Sequence, residues 1–240
     1  MKALNDYVKN LSGHELSDRQ MKQYERYYEM LVEKNKVMNL TAITERDEVC
    51  LKHFIDSIAI CEKMPDLLSK PLSVIDVGCG AGFPGLPLKI LASNIDLTLY
   101  DALRKRIDFL QEVIDEILPT DEKIRAVHGR AEEGGRNRSM RDSYDLAVSR
   151  AVSRMSVLAE YCLPFVKVGG YFVAYKSDEI DEEIKDASNA IDKLGGTVER
   201  IERLTLPGGE IKRSFVFVKK NKPTPKAYPR KPGTAAKDPL

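Results

Sequence analysis

Asp76, Gly78, Gly80, Gly82 and Phe83 are the residues of this chain whose types and spacing bear most directly on chemistry. They close the apolar run Val74-Ile75-Asp76-Val77, and Pro84 to Leu91 after them reads as a helix. A hydrophobic strand that enters a glycine-rich turn at a helix start is a cradle for a nucleotide cofactor. Glycine lets the backbone approach the ligand closely and adopt positive φ. A dinucleotide fingerprint G-x-G-x-x-G counted from Gly78 requires glycine at position 83, where Phe83 stands. The other reading of the segment is a tight strand-to-helix turn without a ligand.

The G-x-G-x-G spacing behind Asp76 resembles the S-adenosylmethionine (SAM) loop of Rossmann-like methyltransferases. In open α/β sheets the ligand lies outside the carboxyl ends of the strands, so each strand end bears on the site. Asp101 ends the second strand, nineteen residues after Gly82. An acidic side chain there accepts the ribose hydroxyls that SAM carries, or else caps the helix that begins near Arg104. His128 to Glu133 follows the third strand, where in such folds backbone N–H groups meet the adenine edge. Ser149-Arg150-Ala151 ends the fourth strand, next to where a methyl group would leave. Arg150 suits an anionic or electron-rich acceptor such as phosphate or a guanine edge, or it pairs with Glu132 or another carboxylate.

Other residues narrow the chemistry. Strand four lacks the Asp/Asn-Pro-Pro-Tyr/Phe pattern of enzymes that methylate exocyclic base amines. Cys162 falls among apolar residues of an expected helix, a core position rather than that of a pyrimidine C5 nucleophile. His53 and Asp56, three apart on one helix, are either a catalytic pair or a local packing contact. Lys176 and Arg213, at strand ends, are either contacts to substrate phosphate or surface charges. His14 and His128 have no partners at metal-ligand spacing, so no metal is expected. No catalytic acid or base is assigned; Arg130 and Arg150 are candidates for positioning.

The elements that hold these residues follow from periodicity. Residues 1–66 read as a helical extension, with a helix over 18–38 capped by Ser17 and a second long helix over 45–64. Residues 67–220 alternate strand and helix, which predicts a mostly parallel seven-stranded α/β sheet with helices on both faces and an antiparallel final pair. Residues 221–240 are a basic, Pro-rich tail. From Lys219 onward seven basic residues face only Asp238, so a chain of net charge +1 carries +6 at its end and −5 elsewhere. That asymmetry points to a polyanion partner or to a solvated, disordered tail. Arg230 and Lys231 join Lys176 and Arg213 as candidate RNA contacts. The four cysteines form no C-x-x-C pair, and no apolar run is long enough to span a bilayer. A cytoplasmic protein, without membrane or metal, is expected.

Taken in order, further motifs carry a closer likeness. These are Asn39-Leu40-Thr41-Ala42-Ile43, His53-Phe54-Ile55-Asp56-Ser57 and Asp76 through Gly85. Arg104-Lys105-Arg106, His128-Gly129-Arg130-Ala131-Glu132, Ser149-Arg150-Ala151-Val152, Pro207-Gly208-Gly209 and Tyr228-Pro229-Arg230-Lys231-Pro232-Gly233 follow. Over nearly its whole length the chain resembles the bacterial RsmG family, also called glucose-inhibited division protein B. The resemblance implies a monomeric SAM-dependent enzyme that methylates guanine N7 in the decoding-region loop of 16S ribosomal RNA, with free RNA or the small ribosomal subunit as partner. It implies SAM contacts at Gly78, Phe83, Ala131, Glu132 and Arg150; the ribose argument adds Asp101, and the loop itself adds Asp76, Gly80 and Gly82. A methyltransferase for small molecules or proteins, a SAM- or RNA-binding scaffold and a dinucleotide-dependent oxidoreductase are the competing readings.

Overall fold

Residues 1–120, 122–150 and 153–240 are described by a computed structural model. Ala151 and Val152, which the strand-four motif includes, lie outside them. Seven strands form one sheet: β1 (Ser73–Val77), β2 (Asp96–Asp101), β3 (Ile124–His128), β4 (Tyr144–Arg150), β5 (Val166–Lys176), β6 (Gly196–Thr205) and β7 (Lys212–Lys220). Their order is β3-β2-β1-β4-β5-β7-β6. The first five strands are parallel, and β7 runs antiparallel between β5 and β6. This is the expected α/β architecture. Between β1 and β4 the strand order reverses direction, which opens a crevice at the carboxyl ends of the strands.

Period-two alternation builds a core on each face. Val173 and Tyr175 of β5 and Phe215 and Phe217 of β7 join one apolar cluster. Their chain neighbours Phe172, Ala174, Val216 and Val218 join the other. Helices Gly85–Leu91 and Arg104–Ile117 cover the first face, and Met155–Cys162 and Asp181–Lys193 cover the second. No helix among the described residues is long and apolar enough to cross a membrane.

The N-terminal helices share the first core rather than standing apart from it: Leu4, Tyr24, Tyr27, Leu31 and Phe54 are fully buried there. Helix Asp18–Met38 begins with a capping box between Ser17 and Gln20, as the sequence predicts. The expected helix over 45–64 is not one regular α-helix. It passes from α (Arg46–Val49) to a π-turn (Cys50–Ile55), back to α (Asp56–Ile58) and into 3₁₀ (Ala59–Glu62). Such π insertions favour functional positions, and this one carries His53.

The tail is ordered against the domain, although most of its lysines face solvent. Arg141 donates to the carbonyls of Thr224, Pro225 and Tyr228, and Arg136 donates to that of Ala227. Lys220, counted among the basic residues, is buried, and its ammonium donates to Leu163 O and Thr224 Oγ1. Arginine–carbonyl bonds replace water around an irregular backbone and fold it against the domain.

Candidate active site

A cavity of about 600 Å³ opens at the carboxyl ends of β1, β2 and β4. Gly78, Gly80, Asp101, Arg106, Arg130, Ala131, Glu132 and Arg150 line it, with Tyr100, Leu103 and Tyr161 among the walls. Gly78, Gly80 and Gly82 all have positive φ (73°, 59° and 105°), a conformation that L-residues other than glycine rarely adopt. A Cβ on Gly80 would meet nothing within 4 Å, so a side chain there would occupy the cavity itself. On Gly82 a Cβ would come within 2.7 Å of Tyr27 Oη and 2.8 Å of Leu110 Cδ2. The first glycine leaves room for a ligand and the second lets the loop pack down.

Asp101 is not the N-cap of the helix that begins at Arg104, a place taken by Leu103, but it braces the turn before it. Its Oδ1 accepts from the N–H of Leu103, which fixes the start of the helix at Arg104. Its Oδ2 accepts from the Gly80 N–H at 2.9 Å and from Arg106 at 3.3 Å. The carboxylate thus ties the glycine loop to β2 while standing on the cavity wall. Oδ1, with one donor, keeps a second lone pair for a hydroxyl, whereas Oδ2 already accepts twice.

Asp76, Gly82 and Phe83 do not line the cavity; they lie beneath it. Asp76 Oδ2 accepts from Gly85 N–H at 2.7 Å, and its Oδ1 is buried without a partner. Burial pushes its carboxyl up to about 7, against the opposing pull of the Gly85 bond and Arg150. It shapes the loop, and direct ligand contact would need a group that reaches past the loop. Phe83 is 7% exposed and stacks on His53 with ring centroids 4.6 Å apart. Its ring also carries the guanidinium of Arg150 at 5.1 Å.

Arg150 is the junction of the site. It pairs with Asp56 at 2.8 Å rather than with Glu132, and it donates to Lys52 O at 3.2 Å. Asp56, 1% exposed, also receives Arg213 Nε at 2.8 Å. A buried carboxylate between two guanidiniums is thereby satisfied, and it fixes both. His53 and Asp56 are not a pair, because Arg150 stands between them with Nη2 at 3.3 Å from His53 Nδ1. The other ring nitrogen of His53 lies 2.8 Å from Thr41 Oγ1. Burial and Arg150 push His53 down to about 4, so its imidazole is neutral at neutral pH.

On the far side of Arg150 lies a second cavity of about 610 Å³, lined by Lys52, His53, Asp56, Lys176, Arg213 and Tyr175 among others. Lys176 and Arg213 are therefore brought together, as the sequence suggested. Lys176 is held by Glu183 and by Ser153 O. Arg230 is not available to a polyanion: its Nη2 and Nε bond buried Glu160 at 2.7 and 3.0 Å, and its backbone N–H bonds the same carboxylate. Lys231 remains exposed. Among the described residues no group of acidic, His or Cys side chains is placed to hold a metal.

Sequence reasoning missed two walls. Tyr100 donates to Arg130 O and supports the β3 loop; a Cβ on Gly129 would sit 2.2 Å from its hydroxyl. Gly233 and Ala236 of the tail also line the first cavity. The Tyr228-to-Gly233 motif was the available signal for that placement.

A sequence model described as rRNA small subunit methyltransferase G matches residues 20–214. Curated proteins named ribosomal RNA small subunit methyltransferase G match across nearly the whole chain. That of Lactobacillus johnsonii is 50% identical over 95% of both chains. That of Ligilactobacillus salivarius is 51% identical over 95% of this chain and 94% of its own. Among solved structures, a Pyrococcus horikoshii protein named as a transferase superposes with TM-score 0.52 and 15% identity, covering 69% of this chain and 64% of its own. A Galdieria sulphuraria protein named as a sarcosine dimethylglycine methyltransferase gives TM-score 0.51 and 13% identity, over 68% and 84%. At such identities the likeness speaks for the fold alone.

Proposed function

The chain belongs to the rRNA small subunit methyltransferase G family and is a methyltransferase, and we propose that it carries a methyl group from SAM to N7 of one guanine in the decoding-region loop of 16S ribosomal RNA, in the cytoplasm. The observation that supports this most is Arg150, which forms a wall of both cavities. One cavity has a glycine floor and an acidic side chain, the composition for a nucleoside cofactor. The other is rimmed by Lys52, Lys176 and Arg213, each paired with a carboxylate but set on the cavity, where phosphate can share their donors.

The residues present fit SAM: the space at Gly80 is open to a ligand, Asp101 would accept ribose hydroxyls, and the backbone from Gly129 to Glu132 would serve the adenine edge. When bound, SAM supplies a methyl group already activated on a sulfonium. Guanine N7 has a free lone pair in the neutral base and needs no general base. The work left to the protein is alignment of N7 with the methyl at near-attack distance. Arg150, fixed by Asp56 and Lys52 O, is suited to present its guanidinium to the guanine edge or its phosphate. Asp56 is already paired twice, so its part is to hold Arg150 and Arg213 in place.

Incubation with labelled SAM and, in parallel, unmodified 16S RNA, small subunits and bulk protein tests the reading. Label is expected on RNA and subunits. Label on protein alone would contradict it.

A further inference from the structure

The tail does more than end the chain. Gly233 N–H donates to Glu132 Oε1 at 2.8 Å, and Gly233 and Ala236 stand on the wall of the first cavity. Ala235 between them is 1% exposed, so the tip of the segment is seated in the protein. What seats it is unusual for a chain terminus. Glu160, on helix Met155–Cys162, is 1% exposed and receives the backbone N–H, Nε and Nη2 of Arg230. Arg230 also reaches Asp238 O at 2.8 Å, which closes residues 230–238 into a compact loop. The lower part of the tail is stitched to Arg136 and Arg141, while the upper part, beyond residue 229, is held by the Glu160 and Glu132 contacts and by the packing of Ala235 and Leu240. The strand ends, the loops after them and helix Met155–Cys162 supply most of the cavity lining; the tip adds Gly233 and Ala236.

We propose that residues 230–237 form a detachable wall of the cofactor site, latched by Arg230 on Glu160 and aligned by Glu132, so that cofactor and its demethylated product enter and leave when this segment lifts. The proposal rests on SAM occupying the first cavity. Glu132 faces both the cavity and the strap. A group bound there shares its carboxylate with Gly233 N–H, so ligand and strap hold each other. Arg230 and Glu160 act through the strap and are positioning residues.

Two readouts on Glu160→Gln and Arg230→Lys test this. Hydrogen exchange over residues 230–237 is followed without ligand, and stopped-flow dissociation is measured for SAM and for S-adenosylhomocysteine. Glu160→Gln keeps the shape of the side chain but removes the charge-assisted bonds. The expected result is faster exchange confined to the tail and dissociation of both ligands accelerated about tenfold or more, because breaking a buried ion pair releases the segment that it seats. Arg230→Lys, which keeps the charge but loses the fork, should fall between the variant and the wild type. Faster exchange with wild-type dissociation rates would overturn the wall, and unchanged exchange would overturn the latch. Failure of the wild-type protein to bind SAM would remove the cofactor assignment instead, and the exchange readout tells the two failures apart.

Discussion

At the scale of single residues, the site depends on three glycines with positive φ and on the buried carboxylates of Asp76 and Asp101. Gly78→Asp places a β-carbon and a charge at φ 73°, where the strand meets the loop. It should abolish SAM binding in equilibrium titration while the circular dichroism spectrum stays native. Asp101→Asn keeps an acceptor for Leu103 N–H but weakens the pull on Gly80 N–H and the ribose, and should raise the Kd for SAM roughly ten- to a hundredfold. Asp76 gives a pH signature. Its folded-state carboxyl is pushed up to about 7, whereas in the unfolded chain it ionises near 3.8. Between these values folding takes up a proton, so this residue's contribution to stability falls as pH rises through the window and is constant above it. Urea unfolding of Asp76→Asn against wild type should therefore show the variant gaining roughly 1–4 kcal/mol relative to wild type between pH 4 and pH 8. An equal difference at both ends would show that Asp76 is ionised throughout. Asp101 was legible from its place at a strand end. The seat of Asp76 under the loop was not, because its partner, Gly85 N–H, becomes visible only when the turn has a shape.

At the scale of elements, the N-terminal helices are a buttress for the glycine loop. Tyr27 Oη donates to Ala81 O at 2.5 Å and Tyr24 Oη to Pro87 O at 2.7 Å, both fully buried. Tyr27→Phe leaves a loop carbonyl without a partner and should cost about 1–3 kcal/mol of stability, together with a several-fold weaker hold on SAM. Wild-type SAM affinity in that variant would separate the helices from the site. Sequence periodicity was enough to set the helix over 18–38 and its Ser17 cap, since a 3.6-residue repeat leaves little freedom. It missed the π-turn at Cys50–Ile55, because an extra residue in a turn leaves the hydrophobic pattern on either side intact. The meeting of Asp56 with Arg150 and Arg213, separated by 94 and 157 residues, is likewise tertiary.

For the whole molecule, charge read along the chain and charge seen on the surface are different quantities. Of the basic residues near the C-terminus, Lys220 is buried and Arg230 is bound to Glu160, whereas Lys222, Lys226, Lys231 and Lys237 stay exposed. RNA affinity should therefore fall with salt, and Lys231→Ala should lower the slope of log K against log salt by about 1, with little effect on SAM binding. An unchanged slope would take Lys231 out of the RNA surface. Because N7 needs no general base, His53 is already neutral and Asp76, pushed up to about 7, is ionised above its own titration, kcat should be level from about pH 8 to pH 9. The measurement closest to the central claim is the position of the transferred methyl on unmodified 16S RNA, read by strand cleavage specific for N7-methylated guanine after reaction with labelled SAM. The account predicts cleavage at a single guanine in the decoding-region loop, lost in Gly78→Asp. Label in the RNA without N7 cleavage, or cleavage spread over many guanines, would contradict it.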